Sequence, residues 1–273
     1  MPETLLIDNG SSRPESTLAL RALARSLGDL SGRLVHPVSL LHADRIAAHT
    51  VGGQPADTLE PWLRRALAAG RRDFLLVPLW FGPSRALTEF IPTLALELKR
   101  DYGPLRLRCA RELCPLPGGE LRLVDILFDH LRATAAAQGC PLRRLILVDH
   151  GSPRPEVTAV RNWLAAKLRD RLGPDMQLYE AAMERRAGVD YDFNGERLEG
   201  VLQHLAAADP TSPVILPLLF LSPGHHAGPG GDLAAICGRV QSAVPGFRVY
   251  PTQVVGTHPA LIEILAERMA RRP

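Results

Sequence analysis

Histidines stand in two places where they could do chemistry together. One is in LILVDHGSPRPE, at His150, and the other is the pair His225-His226 in LFLSPGHHAGPGGD. Between them in the chain lies a carboxylate, Glu184, in AAMERRAG. Neutral imidazole and carboxylate are good ligands for divalent first-row metals. The same groups accept protons near neutral pH. Neighbouring side chains diverge, so one of His225 and His226 is expected to face inward with His150. Other readings of these segments are ordinary. Gly151 can serve a tight strand-to-helix turn, and Ser152 can cap the helix that follows. The run MERR (183–186) can be a solvated charge cluster, and GPGG (228–231) a flexible loop.

The elements that must position these residues are visible because the chain repeats itself. Residues 8–15 read DNGSSRPE and residues 149–156 read DHGSPRPE, identical at six of eight positions with an offset of 141. An apolar run precedes each copy, and a helical pattern follows each. FLLVPLWFGPS (74–84) corresponds to VILPLLFLSPG (214–224), and VDILFDHLR (124–132) to IEILAERMA (262–270), in the same order. The repeat divides the chain near residue 139, into a half 1–138 and a half 139–273.

In the second half, strands are expected at 145–149, 176–183, 214–221 and 247–254. Helices are expected near 156–171, 195–207, 230–242 and 259–271. Alternating strands and helices imply a parallel, doubly wound α/β sheet in each half. The continuously apolar strands LILVD and VILPLLFL suit burial on both faces. Pro217 is awkward inside a strand, and Pro78 is expected at the equivalent place in the first half. Two similar halves suggest a pseudo-twofold relation.

Ligands in open α/β sheets bind beyond the carboxyl ends of the strands. That rule collects His150, Glu184 and the 225–226 pair on one rim of the second half. The first half has Asn9 for the first histidine, Ser84 near the second, and His42 near the position of Glu184. It therefore reads as scaffold and cleft wall. His36, His49, His130, His204 and His258 are expected to be structural or solvent-facing, as is His42 unless it supplies a ligand. The cysteines are expected to pack.

Composition bounds the partners. The 273 residues carry 32 Lys+Arg against 29 Asp+Glu, a formal charge of +3, which gives no strongly basic stripe for nucleic acid. The apolar run Val214 to Leu221 is far shorter than the ~20 residues of a membrane helix. Four cysteines form no CxxC pair, which fits a reducing cytoplasm. No organic cofactor is indicated. A phosphatase reading of DHGS is disfavoured, because Asp149 beside the histidine opposes phosphate.

HGS after the first strand, PLLFLSPGHH with a following GGD, and VVGTHPALIEIL near the end resemble the CbiX/SirB sirohydrochlorin chelatases, in the long form that fuses two halves. The resemblance implies insertion of a divalent metal into sirohydrochlorin, with Co²⁺ first and Fe²⁺ or Ni²⁺ as alternatives, for cobalamin or sirohaem. It implies His150 and His226 as metal ligands and proton acceptors, with Glu184, or else Glu180, as the assisting carboxylate. The family's later aspartate falls on Asp232. Arg154, Arg185, Arg186 and Ser152, with Arg13 from the first half, are candidates to meet the carboxylates of the tetrapyrrole. Fusion of the halves implies a monomer. A metal or tetrapyrrole carrier with the same fold is the alternative.

Overall fold

The computed structural model describes residues 1–271. The chain runs β1 (Glu3–Asp8), α1 (Pro14–Ser31), β2 (Val35–Ser39), α2 (Leu59–Ala68), β3 (Asp73–Pro78), α3 (Ile91–Tyr102), β4 (Arg106–Cys109) and α4 (Leu121–Gln138). It repeats as β5 (Arg144–Asp149), α5 (Pro155–Arg171), β6 (Gln177–Ala182), α6 (Leu198–Ala208), β7 (Val214–Leu218), α7 (Gly224–Ala227), α8 (Asp232–Ala243), β8 (Val249–Val254) and α9 (Ala260–Ala270). Each half contributes a four-stranded parallel sheet, in the orders β2-β1-β3-β4 and β6-β5-β7-β8. The orders are the same when the halves are aligned, as duplication requires.

The compact units cut the chain differently from the repeat. One comprises Met1–Pro115 together with the segment from Pro259 on; the other is Leu116–His258. In the first unit α9 packs on α1 and β3, and in the second α4 packs on α5, β7 and β8. The repeat boundary near residue 139 marks where the sequence begins again. The packing boundaries at 115 and 258 mark where apolar faces are buried. Arg268 on α9 shows how firmly that helix is held in the first unit. It is 4% exposed and donates to Glu112 O and Leu113 O, each at 3.1 Å.

Each sheet has its own apolar core. Leu5, Ile7, Phe74 and Leu76 are fully buried in the first unit, and Ile146, Val148, Leu216 and Phe247 in the second. The strands are the ones the apolar runs imply, within a few residues at their ends. β7 is the exception, stopping at Leu218 rather than 221. Pro217 explains part of this. The β7–β8 register shifts between Leu216 and Leu218, a bulge being where a central strand tolerates proline. Leu218 N then donates to Thr252 Oγ1 at 3.1 Å. The expected equivalence of Pro78 and Pro217 fails by one residue. Pro78 lies beside Ile7 as Leu218 lies beside Val148, so Pro217 corresponds to Val77.

Candidate functional site

The second unit brings His150, Glu184 and His226 together. His150 is the first residue after β5, Glu184 the second after β6, and His226 lies in α7 beyond β7. The chain reverses tightly after β5 because Gly151 adopts φ 91°, and a Cβ there would lie 2.0 Å from Glu184 O. Only glycine lets the two loops approach this closely. Met183 N donates to Asp149 O at 2.7 Å, and Glu184 N to His150 O at 3.2 Å. The ladder therefore runs past the last formal strand residues and sets Glu184 beside His150.

The side chains complete the arrangement. His150 Nε2 is 3.2 Å from Glu184 Oε1, and the His150 and His226 rings lie edge to face with centroids 4.4 Å apart. His226 Nδ1 is 2.6 Å from Asp232 Oδ2. A carboxylate only accepts, so this contact puts the proton on Nδ1 and leaves the Nε2 lone pair available, the arrangement common at metal-binding histidines. His150 faces an acceptor at each ring nitrogen, Gly151 O 3.2 Å from Nδ1 and Glu184 Oε1 3.2 Å from Nε2, so Glu184 has to turn aside before Nε2 can hold an ion. His225 reaches Asp232 at 3.7 Å and turns a more exposed side chain to solvent than His226, 57% against 36%. His226 is thus the member of the pair beside His150.

Among the described residues, no three or more His, Cys, Asp or Glu side chains stand as a ready cage for a metal ion. Each histidine is engaged by a carboxylate instead. Glu184 is 64% exposed and His150 45%, so both can turn on the rim without disturbing the core. Two imidazoles and a carboxylate suit a borderline divalent cation. An open set that is not a closed four-ligand cage suits an ion that must be passed on.

The other candidates divide. Glu180 lies within β6 and pairs with Arg169 of α5 at 2.5 Å, so it does not join the histidines. Ser152 Oγ accepts from Arg154 N at 3.0 Å, closing a turn ahead of the helix. Arg185 is held in its own loop, 3.0 Å from Asp192 and donating to Gly195 O at 3.1 Å. Arg186 stacks over Tyr191, 5.7 Å from the ring centroid, on the exposed side of that loop. Arg154 approaches Glu156 at 3.4 Å. The remaining histidines are exposed or engaged elsewhere, for example His36 with Glu3 and His130 against His258.

The first unit lacks every ligand at the matched positions. Leu40 N bonds Asp8 O and Leu41 N bonds Asn9 O, so Leu41 stands where Glu184 stands. His42, expected near that place, is one residue further on, matched with Arg185 and in the left-handed region at φ 67°. Leu79 N donates to Ile7 O as Leu219 N donates to Val148 O, and Leu113 N to Trp80 O as Val255 N to Phe220 O. Counting on from these bonds sets Ser84 opposite Gly224 and the buried Ala86 opposite His226. Asn9 Oδ1 accepts from Trp80 Nε1 at 2.9 Å.

Two residues that the motifs did not reveal hold the site together. Asn194 is fully buried, and Arg161 is 2% exposed. Asn194 bonds the backbone of Ser152, while Arg161 bonds the side chain of Asp149. Arg161 reads in the sequence as one more charged residue of a helix rich in arginine, although it lies on the buried side. The one visible signal was that Leu20 takes its place in the first repeat.

This architecture is the one found in solved chelatase structures. SirB from Bacillus subtilis with Fe³⁺ superposes with a TM-score of 0.70 at 15% identity, over 98% of this chain and 94% of that one. SirB from Bacillus subtilis subspecies spizizenii in complex with cobalt gives 0.67 at 15%, with the same coverage. CbiX, described as the terminal enzyme for biosynthesis of siroheme in denitrifying bacteria, gives 0.58 at 18% over 99% of this chain and 100% of that one. The two parallel sheets and their helices therefore define a protein of the chelatase fold. Residues 144–272, most of the second half, match the CbiX family model. No curated protein matches the sequence.

Proposed function

We propose that the second unit inserts a divalent metal ion into sirohydrochlorin, with Co²⁺ as the first expectation and Fe²⁺ or Ni²⁺ as alternatives. The observation that carries this reading is the ring pair His150 and His226, 4.4 Å apart, with Glu184 3.2 Å from His150. The family match over 144–272 and the likeness to structures holding Fe³⁺ and cobalt support it.

In this reading the metal is a substrate. His226 offers Nε2, oriented by Asp232, and Glu184 swings to share the ion with His150. As M²⁺ enters the macrocycle, two pyrrole N–H bonds break and their electron pairs go to the metal. The two protons pass to His150 and His226 and then to the exposed carboxylates Glu184 and Asp232. Arg154, Arg186 and Arg185 meet carboxylates of the tetrapyrrole, the last by exchanging its loop partner Asp192 for substrate. No helix among the described residues is long and apolar enough to cross a membrane.

The test is turnover. Sirohydrochlorin is mixed with Co²⁺, Fe²⁺ or Ni²⁺ and the change in its absorption spectrum is followed with and without protein. Accelerated insertion that is lost in His150→Ala and His226→Ala is expected. Tight binding of metal or tetrapyrrole without acceleration would make the protein a carrier.

A further inference from the structure

Asn194 ends a short 3-10 turn, Val189–Asn194, in the loop after β6. Its side chain is buried and fully used. Oδ1 accepts from Ser152 N at 2.9 Å and from Thr158 Oγ1 at 3.1 Å. Nδ2 donates to Ser152 O at 2.8 Å and to Tyr191 O at 3.1 Å. Its backbone carbonyl accepts from Arg161 Nη2 at 2.8 Å. Arg161 Nη1 in turn donates at 2.9 Å to Asp149 Oδ1, which also accepts from Gly151 N at 3.1 Å. The residues on either side of His150 are thus tied to the loop that carries Glu184.

The first unit has the same strand, turn and helix without this tie. Leu20 occupies the place of Arg161 at the repeat offset. The matched bridges Ser39 with Thr58 and Ala182 with Arg197 put Pro55 at the place of Asn194. Neither Leu20 nor Pro55 has a side-chain hydrogen-bonding group. The corresponding loop is held from α1 instead, by Arg21 donating to Gln54 O and Pro55 O at 2.7 and 3.0 Å. The fold therefore forms without the network, which is built only in the unit that carries the histidines.

We propose that Asn194 and Arg161 are positioning residues that fix His150 against Glu184 for metal capture. The proposal rests on the reading of His150 as a metal ligand. An imidazole on a short turn has several accessible directions. Pinning both backbone groups of Ser152 and the N–H of Gly151 leaves the side-chain torsions of His150 as its only freedom. Partners outside the ligand set typically change metal affinity by 10–100-fold.

The test measures Co²⁺ binding to the full chain, reading both the dissociation constant and the visible absorption per bound ion. Wild type, His150→Ala, Asn194→Ala, Asn194→Asp, Arg161→Leu and Arg21→Ala are compared. Asn194→Ala and Arg161→Leu are expected to weaken binding about 10-fold or more and to alter the spectrum of the ion that does bind. Arg21→Ala, which loosens the matched loop of the first unit, is expected to leave both unchanged. A purely structural role would lower the folded fraction and leave affinity and spectrum of that fraction as in wild type, which overturns the proposal. Asn194→Asp keeps the acceptor for Ser152 N and loses the two donated bonds. It decides the matter if Asn194→Ala does not fold, wild-type affinity and spectrum then overturning the proposal. Unchanged Co²⁺ binding in His150→Ala would overturn the metal-ligand reading and the proposal with it. Loss of binding there with wild-type Asn194 variants overturns the proposal alone.

Discussion

Arg161 and Asp149 form an ion pair at 2.9 Å with both side chains nearly sealed from solvent, and the matching aspartate of the first half, Asp8, has no such partner. Burial raises the Asp149 carboxyl, opposed chiefly by Arg161. At Asp8 burial pushes the carboxyl up to about 6, opposed by hydrogen bonds from the Ser39 side chain and the backbone of Gly10 and Asp8, and Oδ1 is buried without a hydrogen-bond partner. The same sequence position thus holds a buried carboxylate with an arginine partner in one unit and one without an arginine in the other.

The difference predicts opposite responses to neutralisation. An Asp8 raised from 3.8 to about 6 binds more protons folded than unfolded in that interval. Its contribution therefore favours folding at low pH and turns against it as pH rises through about 4 to 6, by roughly 3 kcal/mol in full. Asp8→Asn should raise the thermal midpoint at pH 8 and have little effect near pH 4. Asp149→Asn should lower the midpoint at pH 8, since removing one member of a buried pair typically costs about 3–5 kcal/mol. Melting curves at both pH values check this, and shifts of the same sign at pH 8 would refute the contrast.

A second prediction separates the two glutamates of β6 and its loop. Glu184→Gln should weaken metal binding and slow insertion, because the carboxylate nearest His150 becomes a neutral amide, a poorer ligand and a poor proton acceptor. Glu180→Gln should leave metal affinity unchanged, because Glu180 faces Arg169. It should cost no more than the ~0–1 kcal/mol of a part-exposed ion pair. Calorimetric titration with Co²⁺ distinguishes them.

Gly151 offers a third. Its φ of 91° and the 2.0 Å approach to Glu184 O mean that Gly151→Ala must displace the loop as well as strain the backbone. Strain of this kind costs about 1–3 kcal/mol, and the displacement should separate His150 from Glu184. Gly10→Ala meets the same obstacle, 1.8 Å from Leu41 O at φ 82°. Both variants should melt lower, while only Gly151→Ala should lose metal affinity.

What the sequence disclosed follows from how locally each feature is encoded. The strands and the rim positions of His150, Glu184 and His226 are local. Each sits at the end of an apolar run, and strand ends in a parallel sheet lie on one side. The exchange of α4 and α9 between units is not local, since either helix presents an apolar face that suits either sheet. The Pro78 and Pro217 equivalence failed because a bulge changes register by one residue without changing the apolar pattern. The sequence puts His42 near the Glu184 position, and only the bonds Leu41 N to Asn9 O and Glu184 N to His150 O fix the offset at one residue. Asn194 and Arg161 escaped because a buried polar network forms between segments 33 residues apart, which no period of the sequence records.

The asymmetry between halves yields the last prediction. Asn9, Leu41 and Ala86 stand at the places of His150, Glu184 and His226, and none is a competent ligand for a borderline cation. Asn9 is also occupied, since its side-chain oxygen accepts from Trp80 Nε1. Its loss should be felt as a missing hydrogen bond, worth about 0.5–1.5 kcal/mol of stability. Asn9→Ala should therefore lower the melting temperature slightly and leave metal affinity and insertion rate close to wild type, while Ser84→Ala, whose buried hydroxyl makes no hydrogen bond, should leave melt, affinity and rate alike near wild type. His42→Ala should also leave affinity and insertion rate close to wild type, with its exposed ring offset from the Glu184 position. His150→Ala and His226→Ala should abolish insertion while leaving the melt nearly unchanged, because both side chains lie on the exposed rim. Co²⁺ titration of the five variants side by side checks the assignment. A larger affinity loss in His42→Ala than in His150→Ala would move the metal site to the first half.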